Sequence, residues 1–340
     1  MASALLLPLS WLVRLAIARK QRRFRRHPEC VTHSRHPLIV VGNLYVGGTG
    51  KTPVVIALVQ GLRAHGWNPG VISRGYGARL GREARTGQGH LEPAEYGDEP
   101  ALIARASGAP VAVHPDRALA LRTLENAHPE VDLVIADDGL QHLALGRDLE
   151  IVVQDTRGIG NGRVLPAGPL REPASRLASV DIVITNLTAG RPPPPSLPGE
   201  ALQLAMRLEP RRATQMATGQ WMDWPRWLSR HGAAAADAVA GIGQPERFFS
   251  MLRACGITLG QTIALPDHAP FQPSVFEPLR AGIVLITAKD AVKCAGLTDE
   301  RIWVVDVAPE FSDPQWLDRV HQILAAIAQK KSAGRFTLSA

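Results

Sequence analysis

Short apolar runs alternate along the chain with longer stretches in which apolar positions recur at helical spacing. That alternation predicts parallel strands joined by crossover helices, an α/β fold. Strands are expected at Leu38–Val41, Gly70–Ser73, Pro110–His114, Val131–Ala136, Leu149–Gln154 and Val180–Thr185, with a helix over Thr52–Ala64 stopping near Gly66. Together they predict one doubly wound domain over residues 27–190. Residues 191–200, with four consecutive prolines and then Pro198-Gly199, have the composition of a linker. A second, smaller α/β domain is expected over 201–330. Its strands are Ala238–Ile242, Ile283–Thr287 and Ile302–Val307, and its helices are Pro245–Ala254, a helix from Asp290, and a closing helix Pro314–Ala326. Residues 331–340 read as a flexible tail.

The N-terminus breaks this pattern. Residues 2–18 are mostly apolar but interrupted by Pro8 and Arg14, too short a run to span a bilayer. The charge order is the reverse of a signal peptide's. Leu9, Leu12, Val13, Ala16 and Ile17 share a helical face, Trp11 and Phe24 add interfacial aromatics, and Arg14, Arg19, Lys20, Arg22, Arg23, Arg25 and Arg26 follow. An amphipathic helix with a polybasic run, residues 1–26, predicts an in-plane anchor on an anionic membrane surface. The competing reading is a helix packed on the body with a solvated basic face.

Charge sharpens the picture. The chain of 340 residues carries net charge +7, from 38 Lys and Arg against 31 Asp and Glu. Those seven N-terminal bases account for the whole excess, so the body is formally neutral and nucleic-acid binding is not expected. Three cysteines without metal-ligand spacing predict no disulfide framework.

The candidate chemistry begins after the first strand. Val40 to Pro53 ends in Gly47-Gly48-Thr49-Gly50-Lys51-Thr52, a glycine-rich turn leading into a helix. Backbone N–H groups at such a helix start cradle phosphates, the glycines permit close approach, Lys51 brings charge to the β- and γ-phosphates, and Thr52 offers a hydroxyl to Mg²⁺. The predicted ligand is therefore a nucleoside triphosphate with Mg²⁺. Tyr45 stands where this motif has its first glycine. Asp137 and Asp138 end the apolar run from Val131, the arrangement in which one acid holds Mg²⁺. Taken alone, Gly97-Asp98-Glu99-Pro100 suits a helix N-cap and Asp267-His268 an ordinary loop. Leu165 to Pro173 reads as a rigid turn, and Thr287-Ala288-Lys289-Asp290 is a weak match to the base-reading motif of GTPases.

In their order along the chain, the phosphate loop, Ser73-Arg74-Gly75-Tyr76-Gly77, Gly97 to Pro100, Asp138-Gly139-Leu140-Gln141-His142, Leu165 to Pro173, Asp267-His268 and Thr287 to Asp290 resemble the tetraacyldisaccharide 4′-kinase family, the lipid A kinases of Gram-negative bacteria. The resemblance runs to about residue 325. It implies transfer of the ATP γ-phosphoryl to the 4′-hydroxyl of a tetraacylated glucosamine disaccharide 1-phosphate, at the cytoplasmic face of the inner membrane. It implies Asp98 as the base, assisted by His268, with Lys51 at the phosphates. Glu99, Asp138 and Glu172 become candidates for Mg²⁺ or its water shell, and Arg74, Arg117, Gln141 and Arg171 for binding substrate or ATP. The departures are Tyr45 for a small residue and Ala288 for a glutamate. The resemblance leaves no protein partner expected.

Three rivals use the same loop. A GTPase-like switch would read guanine with Lys289 and Asp290. A soluble metabolite kinase or ligase would not need residues 1–26. A nucleic-acid-dependent ATPase conflicts with the neutral body.

Overall fold

The computed structural model describes residues 5–188, 190–195, 199–294 and 296–337. Among these, thirteen strands form one sheet: β1 (Leu38–Gly42), β2 (Pro69–Ser73), β3 (Arg85–Gly87), β4 (Val111–Val113), β5 (Leu133–Asp137), β6 (Leu149–Asp155), β7 (Ile182–Asn186), β8 (Leu202–Gln215), β9 (Trp221–Asp223), β10 (Ala236–Ala240), β11 (Leu259–Ala264), β12 (Val284–Thr287) and β13 (Ile302–Phe311). Their order is β11-β10-β12-β13-β8-β7-β6-β1-β5-β2-β4-β3, with β9 on β8. Pairing is parallel except β3 with β4, β8 with β13 and β8 with β9. β1 and β5 are fully buried, which explains their unbroken apolar reading in the sequence. The expected α/β, doubly wound fold is present.

The two halves join in a way the sequence did not reveal. β8 pairs with β7 through Leu202–Met206 and then runs alongside β13, Met206 opposite Phe311. These two long strands carry the chain out to the second half and back, so both halves share one sheet. β8 alternates between buried and exposed positions, with Pro210 and three arginines in it, and so lacks the solid apolar run of the central strands.

The closing helix, Trp316–Thr337, does not cover the second half as expected. Trp316, Val320 and Leu324 lie in the core of the first half beside Val55, Val59 and Leu62. The reason is topological: β13 ends beside the part of β8 that pairs with β7, and so delivers the helix to the first half. Nor is residue 331 part of a free tail. Lys331 Nζ donates to the His36 carbonyl at 2.8 Å and to Asp148 at 2.6 Å, below β1. Residues 196–198 of the expected linker and 338–340 of the tail lie outside the described residues. The helix expected from Asp290 is a single turn, Ala288–Ala291, and β3, β8, β9, β11 and the helix Trp224–His231 were not expected.

The N-terminal helix, Leu7–Arg26, packs on the body along part of its surface and leaves the rest exposed. It is tied to the body by Ser10, whose hydroxyl donates to the Val164 carbonyl at 2.9 Å and accepts from Ala167 N–H at 2.8 Å. Val13 packs on the core, while Leu9, Leu12 and Trp11 stay exposed, Trp11 by 65%. No helix among the described residues is long and apolar enough to cross a membrane.

Candidate active site

A cleft of about 1390 Å³ opens at the carboxyl ends of the strands, between the two halves. This is where an open parallel sheet exposes the loops that follow its strands. The turn after β1 supplies Gly47 to Thr52, and the helix Lys51–Ala64 begins on its lysine. Gly47 and Gly50 have φ of 97° and 98°, a conformation glycine takes without strain. Gly50 has a second reason to be glycine: a Cβ there would lie 2.6 Å from the Asn186 amide nitrogen. Asn186, at the end of β7, donates to the Thr49 carbonyl at 3.1 Å and props the turn from below. Asn43 holds its outer edge, donating to the Gly47 carbonyl at 3.1 Å. Tyr45 stacks under the Arg157 guanidinium, 4.0 Å from its carbon to the ring centre, so the bulky residue sits outside the cradle.

The carboxylates differ sharply in environment. Asp138 accepts both Arg171 contacts, at 2.9 and 3.0 Å, and lies 3.4 Å from Lys51 Nζ. Burial would raise its pKa, but Lys51 and Arg171 outweigh burial and hold it down to about 2. Asp137 accepts from Ser73 at 3.0 Å through one oxygen, and its other oxygen is buried without a partner. Burial, reinforced by the nearby Glu99, pushes it up to about 7. Glu99 is held low: burial opposes its ionisation, but Lys289 and Lys51 prevail.

Asp98 begins the helix Asp98–Ser107, whose N-cap is Gly97, so it is not the cap that its local sequence suggested. Its Oδ2 lies 3.0 Å from His268 Nδ1 of the second half. A carboxylate can only accept, so the proton on that line belongs to Nδ1. Tyr76 packs on the imidazole, ring centres 4.9 Å apart. Asp138 and His268 are the non-glycine residues with left-handed backbone among the described ones, φ 49° and 63°. Such strain persists where surroundings enforce it, commonly at functional sites.

The structure thus brings Lys51, Thr52, Glu99, Asp137, Asp138, Arg74 and Arg171 to the cleft, with His268 facing Asp98. It does not bring in the remaining candidates. Glu172 lies behind Asp138, accepting from Gln141 at 3.0 Å and facing Gln21 and Arg176. Gln141 is occupied by that bond. Arg117 is 2% exposed, donates to the His114 carbonyl at 2.8 Å and underlies Asp137. Glu172, Gln141 and Arg117 therefore support the site from behind. Lys289 was read as a reader of guanine in one rival. Here it donates to Glu99 at 2.9 Å, at the phosphate end, and Asp290 is fully buried, accepting from Gly241 N–H and Thr287. Neither is free to read a base. Asn186 and Ser73 were missed, although Ser73 ends one predicted strand and Asn186 directly follows another, the carboxyl-edge signal that could have marked them.

The donor set suits Mg²⁺. Asp137 offers an unpartnered oxygen, and Asp138 and Glu99 share its surroundings. No three acidic, histidine or cysteine side chains among the described residues close on a metal by themselves. That fits an ion which keeps several waters and relies on substrate phosphates for the rest of its shell.

Comparison with known proteins follows the same lines. The family model described as tetraacyldisaccharide-1-P 4′-kinase matches residues 2–325. A tetraacyldisaccharide 4′-kinase of Bordetella parapertussis is 54% identical over 329 residues, covering 95% of this chain and 93% of that protein. One from Dechloromonas aromatica is 46% identical, covering 93% and 91%. The crystal structure of LpxK from Aquifex aeolicus in complex with ATP aligns with a TM-score of 0.77 at 25% identity, covering 96% of this chain and 99% of that one.

Proposed function

Because this chain belongs to the tetraacyldisaccharide-1-P 4′-kinase family, we propose that Asp98 is the base of its transfer reaction and His268 the residue that orients it. The chain is an ATP-dependent lipid kinase of lipid A biosynthesis, acting on the 4′-hydroxyl of tetraacyldisaccharide 1-phosphate. The single observation that carries the proposal is the 3.0 Å contact between Asp98 and His268, made across the two halves beside the phosphate-binding turn.

The acceptor hydroxyl oxygen forms its bond to the γ-phosphorus as the bond from that phosphorus to the β,γ-bridging oxygen breaks, and ADP leaves. The hydroxyl proton passes to Asp98. In a loose transition state that proton is lost late, so placing the carboxylate matters more than making it a strong base. His268 supplies the placement, its Nδ1–H fixing one carboxylate oxygen and leaving the other for the substrate. Lys51 and the backbone N–H groups of Gly48 to Thr52 bind the phosphates, and Arg74 and Arg171 add positive charge at the rim. Mg²⁺, held by Thr52, Asp137, Asp138 and Glu99, would neutralise charge on the β- and γ-phosphates.

The enzyme works at the cytoplasmic face of the bacterial inner membrane, as a peripheral protein. Exposed Leu9, Trp11 and Leu12 beside a basic helix end support this reading, since acyl chains of the substrate reside in the bilayer. The test is transfer of radiolabel from γ-labelled ATP to the disaccharide lipid. The active protein should label the lipid and Asp98→Asn should not. Equal labelling by both would remove Asp98 from the reaction.

A further inference from the structure

Two neighbouring acids on one helix of the first half are each met by a basic side chain from the second. Asp98 faces His268 at 3.0 Å, and Glu99 accepts from Lys289 Nζ at 2.9 Å. Asp267 ties the two side chains together: its Oδ1 accepts from Lys289 at 3.1 Å and its Oδ2 lies 3.8 Å from His268 Nε2. Lys289 comes from the turn after β12, where Thr287 Oγ1 accepts from Asp290 N–H at 3.1 Å and fixes the turn. Its side chain is 14% exposed, so the pair is largely withdrawn from solvent. The charged groups facing Glu99 are Lys289, Lys51 and Asp138.

The arrangement has a mechanical consequence. One hydrogen bond from His268 leaves the Asp98 carboxylate free to pivot. A second bond on the adjacent residue, made in the same direction across the same gap, fixes the first helical turn that carries both acids. We propose that Lys289 is a positioning residue for phosphoryl transfer, holding Glu99 so that Asp98 and His268 meet in register when the halves are together. This rests on Asp98 as the base. Misplacing a reacting group by about 1 Å can cost roughly a hundredfold in rate, and nucleotide binding, which rests on Lys51 and the glycine-rich turn, should be little affected.

The test uses the full-length enzyme and its variants Lys289→Met, Lys289→Arg, Glu99→Gln and the double Lys289→Met/Glu99→Gln, in single-turnover transfer and in equilibrium ATP binding. Lys289→Met should lower the transfer rate about a hundredfold with ATP affinity changed less than about threefold, and Lys289→Arg should recover most of the rate. Because Lys289 acts through Glu99, adding Lys289→Met to Glu99→Gln should cost little more. A second readout needs no activity. Spin labels at positions 105 and 277, with Cys30 replaced by Ser, should give a narrow distance distribution in the nucleotide-free protein that Lys289→Met broadens. An additive loss in the double variant, an ATP affinity that falls in step with the rate, or an unchanged distance distribution would each overturn the proposal. Transfer by Asp98→Asn at the parental rate would instead overturn the base assignment and leave the distance result standing.

Discussion

The two halves of the sheet use the same device for different ends. β1 in the first half and β10 in the second each end in a glycine-containing turn that starts a helix, Lys51–Ala64 and Pro245–Ala254. The turns meet across the cleft, where a Cβ on Gly243 would lie 2.9 Å from the Gly48 nitrogen. Only the first turn carries a lysine and a threonine at its helix start, and only the first half lines its strand ends with buried Asp137 and Asn186 and half-buried Asp138. The second half contributes His268 from a loop and Lys289 from the single helical turn after β12. On the proposed roles, the difference teaches a division of labour: one half binds the nucleotide, and the other completes and aligns the base that the first half carries.

Mutational kinetics can break that division. The largest effect is expected from Asp98→Asn, which should reduce kcat by about a thousandfold while ATP affinity stays within about threefold, since a positioned base contributes roughly 10²–10⁴. Parallel losses in kcat and ATP affinity, measured by steady-state kinetics and calorimetry, would place Asp98 in nucleotide binding. His268→Asn keeps a residue that tolerates left-handed backbone and should cost about 10- to 100-fold in kcat, again with ATP binding intact. Gly243→Val should hold the turns apart, since its side chain meets the Gly48 backbone. About a tenfold loss of kcat with unchanged Tm would sharpen the comparison, and unimpaired transfer would show that the turns need not touch.

How much of this was legible in the sequence depended on where the signal lay. The central strands were, because burial on both faces gives a continuous apolar run. β8 and the packing side of Trp316–Thr337 were not, because β8 alternates and the helix's destination depends on strand order rather than on its own residues. The phosphate-binding turn stood out locally. Asp98 and His268 did not, since each reads as an ordinary cap or loop until residues 170 positions apart are brought together. Lys289 was visible, but a four-residue pattern suggested the wrong partner. Glu172 and Gln141, drawn in by resemblance, turn out to bond each other behind the cleft.

Two smaller effects probe the flanks of the comparison. Replacing Leu9, Trp11 and Leu12 together by Asp should abolish binding to anionic vesicles without lowering Tm, because those side chains face solvent. Unchanged vesicle binding would remove the helix from membrane contact. The smallest is a pH effect at His142. Burial, with help from Arg117 and Lys20, lowers its pKa from 6.5 to about 4. Between those values the unfolded chain binds the additional proton, so stability falls as pH drops from about 6.5 to about 4. His142→Gln should flatten that part of the Tm-against-pH curve, and an unaltered slope would show that His142 titrates alike in both states.

The central claim is that the second half acts on the base and not on the nucleotide. The most direct measurement compares His268→Asn with Lys51→Met in the same preparation, following ATP binding by calorimetry and label transfer to the disaccharide lipid. The account predicts that Lys51→Met loses ATP binding along with transfer, while His268→Asn binds ATP normally and transfers slowly. If His268→Asn lost ATP binding to the same extent as transfer, the division between the two halves would be contradicted.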